Sequence, residues 1–348
     1  MAAAAPLRIV PGVYAYVGVL PPGCQLCIQG VKMVVFITGL CSERCFYCPV
    51  SPKRLYHDKV FADEEPAHRL IDFVDEAYRV AAGGASITGG DPLVRLKRTL
   101  KTIKLLKDVF GPDFHIHLYT SGRYATRDAL VALERAGLDE IRFHPVEEWM
   151  KKRIELAIRV LHNTRVGAEV PVIPGRVEEL KRFIAWLDSI GAEFINLNEL
   201  EVSERNIRGI ITRGLQPDPS KPVVKGSEEA GLELVRWASR ERLRITVHYC
   251  PAAYKDRVQL RARLLRKALR LRRPYEEVTS EGMLLYAEAP AESLPAGLAG
   301  DAPVEQGLAR LPPALAPRVR GAALKQRYPS PKAYNKLPVN VERVAEEG

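Results

Sequence analysis

Short apolar runs alternate with longer amphipathic stretches along most of the chain. Residues 32–38 are almost entirely apolar, which is typical of a strand buried within a parallel sheet. Apolar residues such as Leu70, Phe73 and Ala77 then recur at helical spacing and predict a helix. We expect this helix over Glu65–Ala82. The alternation continues through segments of strand or helix length at Ala85–Thr88, Arg95–Phe110, Phe114–Thr120, Thr126–Ala136, Glu140–Phe143, Val146–Leu161, Gly167–Ile173, Val177–Ile190, Glu193–Leu197, Ser227–Glu241 and Arg244–His248. Residues 202–225 are expected to form a looser stretch.

Repeated strand–helix units of this length predict a fold class. Such units give a parallel sheet with helices packed outside it. Successive right-handed units that curl round form a full or partial (β/α) barrel, which is the α/β fold that we expect. An open, doubly wound sheet is the alternative. In either fold the residues that follow each strand collect on one rim, where ligands bind.

The chain divides into three parts by pattern. A lead-in broken by prolines covers residues 1–30, the barrel covers residues 31–250, and an extension covers residues 251–348. The extension begins with a helix over Tyr254–Arg273 and includes an Ala-, Pro- and Gly-rich segment over 287–323 that we expect to be irregular. Core-facing spacing along the helix is shown by Val258, Ala262, Leu265 and Leu269.

Positive charge is concentrated in that helix. The whole chain has 52 Lys and Arg against 42 Asp and Glu, a formal net charge of +10. Between Ala253 and Arg273 there are nine basic residues and a single acid, Asp256. These cations could contact the phosphates of RNA, or they could simply form a solvated helix face, and both interpretations stay open.

Cysteine usage and hydropathy indicate a compartment. The chain has six cysteines in 348 residues and no export signal at its start, which argues against a secreted disulfide framework. The apolar run around residue 31 is about ten residues long, too short to span a bilayer. We therefore expect a soluble cytoplasmic protein with no membrane partner.

Three cysteines lie in one short loop directly after the first predicted strand. Cys41, Cys45 and Cys48 have the spacing C-x3-C-x2-C. Three thiolates suit an iron–sulfur cluster, and a [4Fe–4S] cube held by three cysteines keeps one iron without a protein ligand. An open coordination position marks a catalytic metal site. A structural zinc knuckle and three buried core cysteines are the alternatives.

This motif, with Tyr47 directly before its last cysteine, resembles the radical S-adenosylmethionine (radical SAM) superfamily. Within it, segments 23–32 and 36–41 are most similar to an archaeal group related to the pyruvate formate-lyase activating enzymes. The resemblance implies a [4Fe–4S] cluster on the three cysteines, with SAM bound to its free iron. It also implies a low-potential electron donor of ferredoxin or flavodoxin type. The reaction would be reductive cleavage of SAM to a 5′-deoxyadenosyl radical that abstracts hydrogen.

The tetrad after the second strand completes the resemblance. Gly89-Gly90-Asp91-Pro92 stands where members of the superfamily have Gly-Gly-Glu-Pro. The resemblance implies that the glycine backbone and the Asp91 carboxylate contact the amino group of SAM. Aspartate keeps the charge of glutamate but reaches one methylene less far, so this sequence departs from the pattern at that position.

Other residues are assigned to SAM by the same resemblance, each on a different loop of the rim. Ser121 follows the third strand and is expected to contact the ribose or the carboxylate, with a plain turn as the alternative. Ile173 and Gly175 follow the fifth strand and are expected to support the adenine, with Tyr47 beside it.

Polar residues after the later strands are candidates for the substrate side of the pocket. These residues are Arg142, His144, Asn198, Glu199 and Glu201. We take His144, Glu199 and Cys250 as the candidate catalytic residues. A rim histidine before a proline is also often a hydrogen-bonded turn residue, so this alternative stays open for His144.

The substrate class stays open. The basic helix favours RNA as the substrate. The resemblance favours a protein backbone, as in glycyl-radical activation. A small biosynthetic molecule is the third class. A non-enzymatic iron–sulfur or zinc-binding protein is the competing interpretation. The Gly-Gly-Asp-Pro tetrad argues against it, since a purely structural cluster needs no site for the SAM amine.

The remaining cysteines are Cys24, Cys27 and Cys250. Cys24-x2-Cys27 has the spacing of a metal-binding pair, and Cys250 follows the seventh predicted strand on the rim. The pair precedes the first strand, and topology therefore places it near the opposite end, roughly 23 Å away. If the lead-in folds over the rim, the three cysteines, alone or with His248, could hold a second iron–sulfur cluster that faces the substrate. Otherwise we expect a structural pair or disulfide and a lone rim thiol.

Overall fold

The computed structural model describes residues 7–10, 14–298, 302–331 and 338–343, which fall into two compact units. The first unit comprises Met1–Ala77 and Ala82–Gln259, and the second comprises Tyr78–Ala81 and Leu260–Gly348. The boundary thus falls beyond the predicted barrel end at residue 250. No helix in the described ranges combines the length and the apolar character needed to cross a membrane.

The first unit is built on an eleven-stranded sheet. Its strands are β1 (Leu7–Val10), β2 (Tyr14–Val17), β3 (Lys32–Thr38), β4 (Phe61–Ala62), β5 (Glu65–Pro66), β6 (Gly84–Gly89), β7 (His115–Thr120), β8 (Glu140–Phe143), β9 (Arg165–Val172), β10 (Phe194–Glu199) and β11 (Thr246–Cys250). Its helices are α1 (Pro22–Ile28), α2 (Ile71–Arg79, whose end belongs to the second unit), α3 (Leu96–Phe110), α4 (Arg127–Ala136), α5 (Lys151–Val160), α6 (Val177–Ser189), α7 (Ile207–Ile211), α8 (Ser227–Arg240) and α9 (Ala252–Tyr254).

Seven strands, β3 and β6 to β11, are parallel and lie side by side in chain order. This order is that of a (β/α) barrel and differs from a doubly wound sheet, where the order reverses. The two outer strands of this run do not pair with each other. β3 pairs with β4 and β11 pairs with β2, both antiparallel. The barrel is therefore partial, which confirms the predicted fold class.

The two faces of the parallel sheet differ in polarity. On one face, buried apolar side chains such as Leu118, Ile141 and Leu197 form the core under the helices. On the other face, alternate positions carry polar side chains that are nonetheless buried, such as His117 and Arg142. We call this second face the inner face. Many of its polar groups bond to one another, whereas a few buried ring nitrogens, such as His248 Nε2, have no hydrogen-bond partner in the described residues.

The lead-in folds onto the inner face. β2 adds to the edge of the sheet beside β11, and α1 then lies against strands β6 and β7. At Gly23 an added Cβ would lie 2.6 Å from Arg142 Nη2 and 2.7 Å from His117 Nδ1. Only glycine allows this approach. The topological expectation that Cys24 and Cys27 stay at the opposite end of the barrel from Cys250 is therefore wrong, because α1 enters the open barrel.

Two local expectations in the first unit were wrong. The helix predicted from Glu65 begins at Ile71, because Phe61–Ala62 and Glu65–Pro66 form a short hairpin on β3. The stretch over 202–225, expected to be loose, contains α7. The parallel strands and the helices α3 to α6 and α8 lie within about five residues of their predicted bounds, whereas β1, β2, α1 and α9 had no predicted counterpart.

The second unit contains a six-stranded antiparallel sheet in place of the predicted irregular segment. Its strands are β12 (Glu277–Val278), β13 (Leu284–Pro290), β14 (Val304–Glu305), β15 (Leu308–Leu311), β16 (Ala323–Arg327) and β17 (Pro338–Arg343). Small apolar residues, including Ala287, Ala289 and Ala316, form its core. Short side chains and prolines hid these strands, since the sequence shows little alternation of large apolar and polar residues.

The predicted basic helix is present, but the side of it that is buried differs from the predicted side. A π-helical turn, Lys255–Leu260, leads into α10 (Arg261–Leu271), and the buried residues of α10 include Arg263, Leu264 and Lys267. Leu269, expected in the core, is 57% exposed. Two of the nine cations are thus buried, which reduces the surface that could contact phosphates. Hydropathy spacing failed here because basic side chains occupy buried positions.

Candidate functional site

The loop after β3 brings together the three closely spaced cysteines. Cys41, Cys45 and Cys48 are free thiols, each half-buried. The backbone N–H of Glu43 donates to Cys41 Sγ at 3.4 Å, and the N–H of Cys48 donates to the carbonyl of Cys45 at 3.3 Å. A backbone N–H directed at sulfur stabilises a thiolate. The loop is therefore arranged to present sulfur ligands.

The chemistry of these thiols fits a cluster better than a single ion. Burial raises the pKa values of Cys41 and Cys45 to about 11 and also raises that of Cys48, so binding must displace protons. Among the described residues, no group of three or more His, Cys, Asp or Glu side chains is spaced for one metal ion. Thiolates that bind different irons of a cube stand further apart than ligands of one ion. The donor set is consistent with that arrangement.

Asp58 fixes the start of the cysteine loop. Its carboxylate accepts from Thr38 Oγ1 at 2.8 Å and from Arg98 Nη1 at 2.7 Å. Arg98 also donates to the carbonyl of Ile37 at 2.8 Å, so the end of β3 is bound to α3. The hydrogen bond from Arg98 holds the pKa of Asp58 below its usual range. The sequence gave no local signal for this role.

Glu43, inside the loop, is bound to the loop after β7. Arg123 donates from Nε to Glu43 Oε1 at 2.6 Å and from Nη2 to Oε2 at 3.2 Å. The Glu43 side chain is buried, and such two-point pairs fix geometry as well as adding energy. Sequence reasoning missed both residues because their pairing is between distant segments.

The segment around α7 supports the loop from the other side. Asn206 is fully buried, and its Nδ2 donates to the carbonyls of Tyr47 at 2.9 Å and Glu201 at 2.8 Å. A Cβ at Gly209 would lie 2.9 Å from the carbonyl of Phe46, so a small residue is needed there. The stretch expected to be loose is thus part of the site.

The two glycines of the tetrad pack against the cysteine loop. A Cβ at Gly89 would lie 2.2 Å from the carbonyl of Thr38, and one at Gly90 would lie 2.3 Å from that of Leu40. The N–H of Gly90 donates to Thr38 at 2.7 Å, and the N–H of Asp91 donates to Leu40 at 2.9 Å. The glycines therefore join the ends of β3 and β6 at close range.

The Asp91 carboxylate differs from its expected arrangement. It is 1% exposed and accepts from Leu93 N at 3.0 Å, Thr120 Oγ1 at 3.0 Å, Ser121 N at 3.0 Å and Ser121 Oγ at 2.8 Å. Burial raises its pKa, while these hydrogen bonds act in the opposite direction. The carboxylate thus binds the protein itself, and its direct contact with an ammonium group is not supported by this geometry. It holds Ser121 at the end of β7.

A cleft of about 480 Å³ opens beside the cysteine loop. Tyr47 and Ile173 line it, together with Arg176 at the start of α6. Gly175 does not line the cleft, but its φ of +85° forms the turn after β9. A pocket of this size is typical for a ligand as large as a nucleoside derivative.

His144 orients Tyr47. Its Nδ1 lies 2.9 Å from the carbonyl of Glu169, which can only accept, so Nδ1 carries the proton. Its Nε2 therefore accepts from Tyr47 Oη at 2.8 Å. Burial lowers the pKa of His144 and favours this neutral form. Both ring nitrogens are thus bonded, which argues against the catalytic role expected for His144 and favours the turn-residue alternative.

The other substrate-side candidates separate into two places. Glu199 is buried and accepts from the N–H of Ala252 at 2.8 Å, and burial raises its pKa. This bond makes Glu199 a cap of α9, which argues against the catalytic role. Glu201 pairs with Lys255. Arg142, Asn198 and Cys250 instead line a second, smaller cavity on the inner face.

Comparisons with known proteins agree with the motif. A family model described as the radical SAM superfamily matches residues 35–145. A protein of Methanocaldococcus jannaschii, provisionally named a glycyl-radical enzyme activating enzyme, is 37% identical over 278 residues, which cover 76% of this chain and 72% of that protein.

Two solved structures are also similar in part. SuiB of Streptococcus suis bound to S-adenosylmethionine has a TM-score of 0.44 at 8% identity, over 64% of this chain and 50% of that one. The radical S-adenosylmethionine methyltransferase TsrM of Kitasatospora setae has a TM-score of 0.39 at 16% identity, over 73% of this chain and 56% of that one. The chain spans about half the length of these two proteins.

Proposed function

The chain belongs to the radical SAM superfamily, and we propose that Cys41, Cys45 and Cys48 are the ligands of its cluster. The protein is an enzyme that uses a [4Fe–4S] cluster and SAM. When bound and reduced, this pair supplies a 5′-deoxyadenosyl radical that takes a hydrogen atom from the substrate. The observation that carries the assignment of ligands is the half-buried loop of three free thiols, braced on several sides.

The residues around the loop have separate tasks in this proposal. Tyr47 and Ile173 support the adenine in the cleft, and His144 fixes the phenol of Tyr47 by accepting its hydrogen bond. Gly89 and Gly90 let the backbone approach the amino group of SAM closely. Asp91 acts as a positioning residue, because it sets the direction of Ser121 without facing the ligand. Ser121 Oγ donates its proton to Asp91, and its remaining lone pair can accept a hydrogen bond from a ribose hydroxyl.

The substrate in this proposal is a protein backbone. Support comes from the provisional name of the Methanocaldococcus jannaschii relative and from its coverage of most of this chain. RNA is less well supported than the sequence suggested, since Arg263 and Lys267 are buried. The electron donor is a low-potential protein of ferredoxin or flavodoxin type, since reductive cleavage of SAM needs an external electron.

Isotope transfer into 5′-deoxyadenosine tests the substrate class. The reconstituted enzyme is given dithionite, SAM and cell extract from an archaeon that has a gene for a similar protein. The extract contains protein labelled with glycine deuterated at Cα, or RNA with deuterated nucleosides. We expect deuterium in 5′-deoxyadenosine only from labelled protein. Deuterium from RNA alone, or from neither polymer, would contradict a protein substrate, while 5′-deoxyadenosine formation itself reports separately on SAM cleavage.

A further inference from the structure

A small cavity of about 60 Å³ on the inner face collects the three cysteines that the cluster loop does not use. Cys24 and Cys27 come from one side of α1, since residues three apart on a helix are neighbours. His248 and Cys250 come from one face of β11, since residues two apart on a strand point the same way. We propose that these four side chains bind a second, thiolate-ligated metal centre.

The charged groups in this cavity are already paired with one another. Arg142 donates from Nη1 to Glu169 Oε2 at 2.8 Å and also pairs with Glu140. Asn196 and Asn198 donate to the same Glu169 carboxylate at 2.9 Å and 2.8 Å. The cavity therefore offers little to an anionic or cationic organic ligand. Among the metal-ligating side chains that line the cavity, the thiols and an imidazole nitrogen remain for a ligand.

His248 is held as a ligand would be. It is 4% exposed, and within the described chain its Nε2 is buried with no hydrogen-bond partner. Its Nδ1 lies 3.1 Å from Asn196 Oδ1. The amide of Asn196 is oriented by its bond to Glu169, so its oxygen faces the ring and Nδ1 carries the proton. Nε2 thus keeps an unshared lone pair on a residue that lines the cavity, and a bond at the other ring nitrogen is how outer-shell groups fix a metal-binding histidine.

The setting also suits sulfur ligands. Arg142 Nη2 donates to Cys24 Sγ at 3.4 Å and would offset the negative charge of a bound thiolate. Three cysteines with a histidine are a donor set for zinc or an iron–sulfur centre and a poor one for hard cations. Cys24 also lies 3.4 Å from Asn196 Oδ1. The distances among these donors are too long for all of them to bind one metal ion as they stand. A single ion therefore requires the Cys24 side chain to turn away from Asn196. A multi-iron centre could instead span the longer distances.

Metal counting in a chain that lacks the first site tests this proposal. The full-length variant Cys41→Ser/Cys45→Ser/Cys48→Ser is reconstituted without oxygen, either with ferrous iron and sulfide or with zinc alone. We expect about one zinc, or about two to four irons with equal sulfide, per chain. Adding Cys24→Ser and Cys27→Ser should remove this metal. His248→Ala should lower the bound metal at least fivefold, whereas His162→Ala, at an exposed histidine, should not change it.

Two results would overturn the proposal. A folded triple variant that binds no stoichiometric metal would do so, as would metal that Cys24→Ser/Cys27→Ser leaves unchanged. If the triple variant does not fold, the same double substitution is made in the wild-type chain, and an unchanged metal content again refutes the site. The count does not depend on SAM cleavage, so its failure is distinct from failure of the proposed function.

Discussion

The two groups of cysteines in the first unit were assembled in opposite ways. Cys41, Cys45 and Cys48, the loop trio, lie in one half-buried turn after β3. Cys24, Cys27 and Cys250, the inner trio, come from the first helix and the last strand of the sheet and meet only because α1 enters the barrel. The loop trio is set by local sequence, and the inner trio by topology.

Their surroundings differ as well. The loop trio is braced by ion pairs and backbone bonds that begin outside the loop, such as those of Asp58 and Glu43. The inner trio lies within a network of hydrogen bonds and ion pairs, largely buried, that is centred on Arg142 and Glu169. Substitutions in a loop can leave the free energy of unfolding nearly unchanged, whereas substitutions in a buried hydrogen-bond network lower it. We therefore expect changes at the loop trio to affect activity, and changes near the inner trio to affect stability.

The largest expected difference is in SAM cleavage. Cys45→Ala should reduce 5′-deoxyadenosine formation to background, because the loop trio then has only two thiolates. Cys27→Ala should retain cleavage without substrate. The assay is chromatographic quantification of 5′-deoxyadenosine after anaerobic reduction. Equal loss in both variants would mean that the two trios do not have separate tasks.

The second largest expected effect is on the free energy of unfolding, and it concerns the region around the inner trio. Arg142→Met removes the cation between the buried carboxylate of Glu140 and the partly buried carboxylate of Glu169, and should cost about 3–5 kcal/mol. Arg165→Met is the matched control, since its ion pair with Glu193 is about half exposed and should contribute no more than about 1 kcal/mol. Urea unfolding measures both. If Arg142→Met lowers the free energy of unfolding no more than the control does, the network around Arg142 is not a source of stability.

The sequence could predict the features that depend on local residues, but not those that depend on contacts between distant segments. The parallel strands of the first unit and the cysteine loop were predictable because each depends on local periodicity or spacing. The burial of α1 was not, because nothing near Gly23 indicates that Arg142 and His117 will pack on it. The buried Arg263 and Lys267 opposed the hydropathy pattern outright. The bonds from Thr120 and Ser121 to Asp91 were not predictable either, since a motif names a residue but not the direction of its side chain.

Acid should weaken the inner region. Burial lowers the pKa of His248 to about 4, whereas in the unfolded chain it is about 6.5. Below pH 6.5 the unfolded state binds more protons, so this contribution to stability is present at neutral pH and is lost as the pH falls toward 4. The loss is about 3 kcal/mol at pH 4. In the metal-free chain, the fall in unfolding free energy between pH 7 and pH 4 should be smaller by this amount in His248→Gln, and an identical fall would refute the burial of a neutral His248.

Asp91 should give the smallest of these effects. Asp91→Asn weakens charge-assisted bonds to Thr120 and Ser121 and should cost about 1.5–3 kcal/mol of stability. SAM affinity should fall with it, and Ser121→Ala should reproduce part of that fall while the iron content stays constant. The exposed Asp113→Asn is the control. Lower SAM affinity with unchanged thermal stability would instead support direct contact between Asp91 and the SAM ammonium.

The most direct test of the central claim is electron paramagnetic resonance of the reduced protein titrated with SAM. Wild type and Cys24→Ser/Cys27→Ser should both show a [4Fe–4S] signal that shifts on adding SAM, since the loop trio is intact in each. Cys41→Ser/Cys45→Ser/Cys48→Ser should show no SAM-dependent shift, whatever metal it retains. A SAM-dependent shift that survives loss of the loop trio, or that disappears with Cys24 and Cys27, would contradict the division of tasks between the two trios.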